Sequence, residues 1–217
     1  MIDSQKMFNH DLALLNKTTK LIAGMDEVGR GPLAGPVVTA CVIMPYNKMI
    51  AGVFDSKKLT AKARESLNKQ ILETAIAVSI NQVDQDKIDQ INILNATKES
   101  MKASFNNLTI KPDLLLIDAV KLNVCEQEKS IIKGDETSYA IACASIVAKV
   151  YRDNLMQKYA KTYPEYDFEH NMGYGTKKHN QAILTYGVTP IHRLSFLGKL
   201  LGVDVCERLK QERQAKK

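Results

Sequence analysis

Cysteine is sparse: Cys41, Cys125, Cys143 and Cys206 lie far apart with no C-x-x-C spacing. That pattern argues against a cysteine-built metal site and reads as buried, reduced thiols acting as small hydrophobes. Histidine is no better placed for zinc, because His170, His179 and His192 are too widely spaced for a usual ligand pattern and read as surface or nucleic-acid-facing side chains. Long hydrophobic runs are missing too. The longest, Val37 to Met44, is fenced by Pro36 and Pro45 and is far shorter than the ~20 residues that span a bilayer. The N-terminal MIDSQKMFNHDLALLNKTTK lacks a basic start followed by an apolar stretch, so no secretory signal or anchor is visible, and a cytoplasmic location without membrane contact is expected. No internal repeat or low-complexity tract occurs, which leaves one main domain built of alternating strands and helices.

What is present begins with charge. Thirty Lys and Arg against 24 Asp and Glu give a formal charge of +6. Such a balance favours a polyanionic partner through counterion release, although it also serves plain solubility. At 217 residues and 45% hydrophobic content the chain can bury one substantial core. Leu21 to Val28, Val37 to Met44 and Ala75 to Val83 read as strands. Thr60 is placed to cap a helix carrying Ala63, Leu67 and Ile71 on one face. The spacing of Ile88, Ile91, Met101, Phe105 and Leu108 predicts a helix over Asp84 to Leu108, broken near Asn92, and Leu114 to Ile117 is a short apolar run of the kind found in buried strands. A helix over Ser138 to Tyr159, rich in small residues, follows. Residues 162–189 turn to Tyr, Gly, His and Lys and read as loops before a last helix near Ser195 to Lys210, with QERQAKK frayed.

Acids stand at the ends of these elements: Asp26 and Glu27 late in the first strand, Asp118 after the buried apolar run, and Asp135 just before the long helix. Converging carboxylates offer oxygen ligands to a hard divalent cation, and metal-assisted phosphodiester hydrolysis needs such a set. Taken singly, each has a plainer role: Asp-Glu as solvated surface, Asp118 opening a turn, Asp135 as a helix N-cap. Adjacent strand residues also point to opposite faces, so either Asp26 and Glu27 differ in how directly they bind, or the backbone bends there. The segment Gly29-Arg30-Gly31-Pro32-Leu33-Ala34-Gly35 resembles a phosphate loop but leads into a strand, whereas a dinucleotide loop opens a helix. An oxidoreductase reading therefore fails. Gly29 and Gly31 allow close backbone approach to a ligand, and Arg30 offers a fork of donors to phosphate.

Together the blocks GMDEVGRGPLAGPVV, DSKKLT, LLIDAV, KGDETSYAIACASIVAKVYRD and GYGTKKHNQAILTYGVTPIHRLSF resemble, in order, type 2 ribonuclease H, the ribonuclease HII family. The resemblance implies an α/β, RNase H-like fold, with a mixed central sheet of about five strands flanked by helices and a helical C-terminal extension. It implies a short segment 1–20, a catalytic domain over 21–196 and a tail over 197–217. By the same resemblance, Asp26, Glu27, Asp118 and Asp135 are the catalytic and metal-binding acids, with Mg²⁺ or Mn²⁺ as the cofactor. Gly29, Arg30 and Gly31 form the substrate loop, Tyr174 faces substrate, and Lys57, Lys58, His192 and Arg193 are phosphate contacts. The implied activity is a monomeric endonuclease that cuts the RNA strand of RNA/DNA hybrids and cuts 5′ to ribonucleotides embedded in duplex DNA, leaving 3′-hydroxyl and 5′-phosphate. Met25 and Thr137 depart from the family pattern without touching the acids. GRG, where the sister type HIII has GTG, favours HII. The alternative is a non-catalytic nucleic-acid-binding module, which charge and Tyr174 alone would explain and which the presence of all four acids opposes.

Overall fold

The protein is described by a computed structural model covering residues 4–215. Its chain divides into two compact units, the first made by residues up to Val28, Val38–Gln82 and Thr97–Tyr151, the second by Gly29–Val37, Val83–Ala96 and everything from Arg152 onward.

The elements of the chain are α1 (Ser4–Leu12), β1 (Ile22–Val28), β2 (Val37–Ile43), α2 (Ala61–Thr74), β3 (Ala77–Val83), α3 (Gln85–Asn106), β4 (Leu114–Asp118), β5 (Glu128–Ile131), α4 (Gly134–Thr137), α5 (Tyr139–Thr162), α6 (Phe168–Asn171), α7 (Lys177–Tyr186), α8 (Gly198–Leu201) and α9 (Val203–Ala215). The strands form one five-stranded sheet in the order β3-β2-β1-β4-β5. β1 runs antiparallel to β2 and parallel to β4, and β4 parallel to β5, as a mixed sheet requires.

Side-chain alternation divides the first unit's core into two layers. Ala23, Met25, Leu115 and Ile117 pack with Met101 and Phe105 of α3. Ile22, Leu114 and Leu116 pack with Ala140 and Ile141 of α5. The second contact is very close: a Cβ built on Gly24 would lie 2.0 Å from the Ala140 carbonyl carbon. Small residues on α5 make that approach possible, and Ala140, Ala142, Cys143 and Ala144 are all fully buried.

The N-terminal segment belongs to this core. Met7 and Phe8 of α1 are buried, and Phe8 meets Tyr139 edge-on at 5.2 Å. Asp11, also fully buried, accepts hydrogen bonds at Oδ2 from Tyr46 Oη (3.0 Å), Ser138 Oγ (2.9 Å) and the Ala140 amide (2.8 Å). An anion thus sits on the positive end of α5, where unsatisfied amides and the helix dipole favour it.

Elsewhere the expected elements recur with shifts of a few residues. Thr60 caps α2 by accepting from the Ala63 amide. Asn92 interrupts α3 at φ 66° and its side chain caps the continuation by accepting from Asn95 N. In the second unit, α7 occupies part of the region read as loop, with Thr176 as its cap. Only His179, Ala182 and Ile183 of that helix are buried, too thin a stripe to announce a helix. The expected last helix is split into α8 and α9 by Gly202 at φ 89°, and its side chains join those of Met156, Phe168 and Ile183 in one core. Within QERQAKK, residues 211–215 are helical rather than frayed; 216 and 217 lie outside the described residues. All four cysteines are free, and Cys125, contrary to expectation, is half-exposed. Among the described residues no helix is long and apolar enough to cross a membrane.

Gly24→Ala is expected to cost upwards of about 3 kcal/mol, because backbone cannot rotate aside as an overpacked side chain can. In a chain of this size that lowers Tm by roughly 6 °C or more. A thermal melt matching the wild type would refute the close seat of α5 on β1.

Candidate active site

Parallel pairing aligns two acids. Met25 stands opposite Ile117 in the β1–β4 ladder, so the next residues, Asp26 and Asp118, follow side by side at the carboxyl end of adjacent strands. Both project from the face that α5 covers, as the alternation from Gly24 and Leu116 dictates. Asp26 is buried, accepts a 2.7 Å hydrogen bond from the Glu27 amide and another from Ser145 of α5. Ser145 Oγ also lies 3.0 Å from Ser56 Oγ, which ties the DSKK loop to the same helix.

Asp118 Oδ1 accepts from the Gly134 amide at 2.7 Å. Position 134 is crowded, since a Cβ there would meet Ile141 Cδ1 at 2.6 Å and Asp118 Oδ1 at 3.2 Å. The neighbouring residue is Asp135. It lies inside the one-turn α4 rather than directly before the long helix, and it does not take the plainer role of helix N-cap: Ser138 accepts from Ile141 N at the start of α5. This turn directs Asp135 toward Asp118 and toward Lys57, whose Nζ is 3.7 Å from Asp135 Oδ2. Lys57 is exposed. Lys58 pairs with Asp55 (3.3 Å) and Glu136 (2.5 Å).

β1 stays regular through Glu27, which is paired with Thr39 on the α3 side of the sheet. Of the two alternatives left by the sequence, the backbone therefore does not bend: Glu27 leaves from the opposite face at the strand's end. Its charge nonetheless acts strongly on Asp26. Burial and then Glu27 hold the Asp26 carboxyl well above the usual carboxylate range, with Asp118 adding to them. Burial and then Asp118 likewise raise Asp135, against the pull of Lys57. Burial opposes the charge on Lys57, but Asp135, Asp26, Asp55 and Asp118 outweigh it and raise its pKa.

The cluster repels itself and offers only oxygen donors, a chemistry that fits a hard divalent cation. Among the described residues, the one trio with ligand atoms all within 4.8 Å of one another is Asp167, Glu169 and His170. Lys178 Nζ already lies 2.8 Å from Asp167 there. The four acids are set more widely. That spacing suits Mg²⁺ or Mn²⁺ sharing its coordination with waters and substrate phosphate better than a closed protein cage would.

The glycine loop belongs to the second unit and follows Val28 directly along the chain. Two buried arginines organise it. Arg193 donates from Nε to the Gly35 carbonyl (2.8 Å) and from its terminal nitrogens to the carbonyls of Arg30 (2.9 Å) and Gly29 (2.6 Å). Arg152 donates to Pro36 O (3.0 Å), Ala34 O (3.1 Å) and Met172 O (2.9 Å). Burial lowers their pKa values to about 9 and about 10 respectively, still leaving both guanidinium ions protonated at neutral pH. Gly29, at φ 91°, admits no side chain, because a Cβ would lie 2.2 Å from Arg152 Nε. Since each peptide is planar, carbonyls of Gly29 and Arg30 aimed at Arg193 turn the amides of Arg30 and Gly31 the other way. Arg30 and Gly31 are exposed. The half-exposed Tyr174 ring borders Gly31, with Cε1 3.4 Å from where a Gly31 Cβ would be.

His192 and Arg193 are therefore not phosphate contacts. Both are 0% exposed, and Arg193 spends its donors on loop carbonyls. His179 and His192, expected on the surface, are buried side by side with Nε2 atoms 3.0 Å apart, whereas His170 is exposed. The roles of Arg152, Ser145, Gly134 and Asp11 went unread in sequence, although Gly134, Ser145 and Arg152 lie in the block KGDETSYAIACASIVAKVYRD and Ser145 stood among the small residues of the long helix.

A family model described as Ribonuclease HII matches residues 23–199. The ribonuclease HII of Enterococcus faecalis is 54% identical over 192 residues, covering 88% of this chain and 75% of that protein. That of Caldicellulosiruptor bescii is 48% identical over 202 residues, covering 93% and 98%. Among solved structures, ribonuclease H2 from Pyrococcus horikoshii OT3 superposes with a TM-score of 0.69 at 25% identity, covering 88% of this chain and 99% of that one. Bst-RNase HIII in complex with Mn²⁺ shares the fold, with a TM-score of 0.62 at 17% identity and coverage of 90% and 72%. This chain belongs to the ribonuclease HII family, and it is a divalent-metal-dependent ribonuclease H, a phosphodiester hydrolase acting on RNA/DNA hybrids.

Proposed function

We propose that this chain also cuts duplex DNA on the 5′ side of a single embedded ribonucleotide, leaving a 3′-hydroxyl and a 5′-phosphate, with Asp26, Glu27, Asp118 and Asp135 holding Mg²⁺ or Mn²⁺. The observation that carries the metal assignment is the side-by-side register of Asp26 and Asp118, with Asp135 brought to them by the Gly134 turn. When bound, the ion supplies Lewis-acid stabilisation of phosphoryl oxygens and lowers the pKa of a water. The acids of this chain hold that charge where the scissile phosphate must come, and Lys57 lies beside them as a further cation for the phosphate backbone.

Selecting a ribonucleotide requires sensing a 2′-hydroxyl, the one sugar feature that separates RNA from DNA. The outward amides of Arg30 and Gly31 suit that task, and glycine at 31 keeps the approach open. The Tyr174 ring beside Gly31 offers a flat surface to the adjoining deoxyribose, so a step from RNA to DNA is read by shape. A binding module without catalysis would have no use for four mutually repelling carboxylates.

Asp118→Asn, which keeps size and removes charge, is expected to lower single-turnover cleavage of a labelled hybrid at least about 100-fold, more than losing an outer-shell partner of a metal costs. The thermal melt should stay near that of the wild type. Cleavage at the wild-type rate would rule out the assigned site.

Metal and protons should compete. Asp26 and Asp135 carry raised pKa values, so they gain protons at higher pH than ordinary carboxylates, and activity at limiting Mg²⁺ should fall as pH falls. Saturating Mg²⁺ should move the acidic limb of the rate profile to lower pH. A limb that ignores metal concentration would contradict carboxylate ligation.

Tyr174→Ala is expected to depress cleavage at a single ribonucleotide far more than cleavage of a long hybrid. Equal losses on both substrates, with unchanged stability, would show that Tyr174 does not read the junction.

A further inference from the structure

His179 and His192 form a buried imidazole chain with only one consistent proton arrangement. His192 Nδ1 faces the Thr189 amide at 2.9 Å, which can only donate, so this nitrogen is bare and the ring's proton sits on Nε2. His179 Nδ1 faces the Tyr174 carbonyl at 2.9 Å, which can only accept, so this nitrogen carries the proton and Nε2 is bare. Between them the two Nε2 atoms are 3.0 Å apart. Hydrogen bonds therefore run in one direction: Thr189 N–H to His192, His192 Nε2–H to His179, His179 Nδ1–H to Tyr174 O. A second proton on either ring would set a donor against a donor.

The surroundings favour the neutral pair. Tyr166 and Phe168 pack on both rings. The charged groups facing it are Asp167 on the His179 side and Arg213 on the His192 side. Arg213 donates to the His192 and Thr189 carbonyls and to Asp86. Burial lowers the pKa of His179, and burial and then His179 lower that of His192 to about 3.

Each end of this hydrogen-bonded chain is anchored beside a segment to which a substrate role was proposed above, Tyr174 at one end and the glycine loop at the other. At one end the Tyr174 carbonyl accepts from His179 and from the Thr176 amide (2.8 Å), while the Tyr174 amide donates to Asn171 O (2.9 Å). At the other end His192 bridges Ala34 in backbone pairing, beside Ile191, whose carbonyl accepts from Gly35 N, and beside Arg193, which grips the glycine loop. We propose that the His179–His192 pair is a positioning device that fixes the Tyr174 main chain against the Gly29–Gly31 loop, and so sets how strongly a single ribonucleotide in DNA is preferred. This rests on the reading of Tyr174 given above.

Two glutamine-family variants of His179 separate positioning from packing. His179→Asn keeps a donor near the Nδ1 position for Tyr174 O and loses the partner for His192. His179→Gln keeps an acceptor near the Nε2 position and loses the donor to Tyr174. The ratio of kcat/KM on a single-ribonucleotide duplex to that on a long hybrid should fall about tenfold in His179→Gln, the effect of one net hydrogen bond, and stay within about twofold of the wild type in His179→Asn. An unchanged ratio in His179→Gln, or equal losses in both variants, would overturn the proposal. If Tyr174→Ala shifts the ratio while His179→Gln does not, the positioning role alone fails; if Tyr174→Ala leaves the ratio unchanged, the reading of Tyr174 fails and takes this role with it. Nitrogen-15 NMR of the wild-type histidines judges the pair whether or not the variants fold. Once assigned, the His179 signal should be that of an Nδ1–H imidazole and the His192 signal that of an Nε2–H imidazole, both neutral at neutral pH, and a protonated His179 or His192 there, or the same tautomer in both, would overturn the arrangement.

Discussion

The seat of α5 on β1 at Gly24 is the constraint from which the rest of the first unit follows. With the Ala140 backbone where a side chain would otherwise be, the start of α5 is held against the strand that carries Asp26. Ser145, one turn further along, then reaches the Asp26 carboxylate. The short α4 turn immediately before α5 is drawn in as well, so that the Gly134 amide meets Asp118. Asp11 completes the arrangement by satisfying the Ala140 amide and Ser138 hydroxyl at the helix start. Such a start buried without partners would leave donors unsatisfied at a cost of about 1–3 kcal/mol each.

Packing of this kind stabilises an arrangement that electrostatics disfavours. Asp26 and Asp135 are buried beside other carboxylates, with Lys57 the nearest cation to Asp135 and itself mostly in solvent. In the second unit the signs are reversed. Two buried guanidinium groups lie among backbone carbonyls and make six hydrogen bonds to them, four to the glycine loop and the others to Pro36 and Met172. Buried arginine is tolerated there because every nitrogen has an acceptor, which offsets the desolvation that would otherwise be prohibitive. Charge inside the loop thus shapes the surface that its amides present outside.

Much of this was legible in the sequence where local pattern and tertiary role agree. The run LLLI ending in Asp118, the β-branched strand after Pro36 and the asparagine break in α3 are all local signals, and Asp26, Glu27 and Asp118 stand at strand ends as read, whereas Asp135 lies within the short α4. β5 was not legible from pattern, because EKSI is half-exposed and lacks alternation. Arg193 looked like a solvated charge because its partners are remote: the Gly29 carbonyl that accepts from it is 164 positions away. The same holds for Asp11, which meets Ala140 across 129 positions. The division into two units was hidden as well, since α3 and α5 each contribute to both and no linker-like composition marks the change.

On the proposed assignment the acids at the carboxyl ends of β1 and β4 hold the metal. Anomalous diffraction from crystals grown with Mn²⁺ tests it most directly. The expected result is anomalous density between Asp26 and Asp118, bordered by Glu27 or Asp135. Density at Asp167, Glu169 and His170 with none at the sheet edge would contradict it.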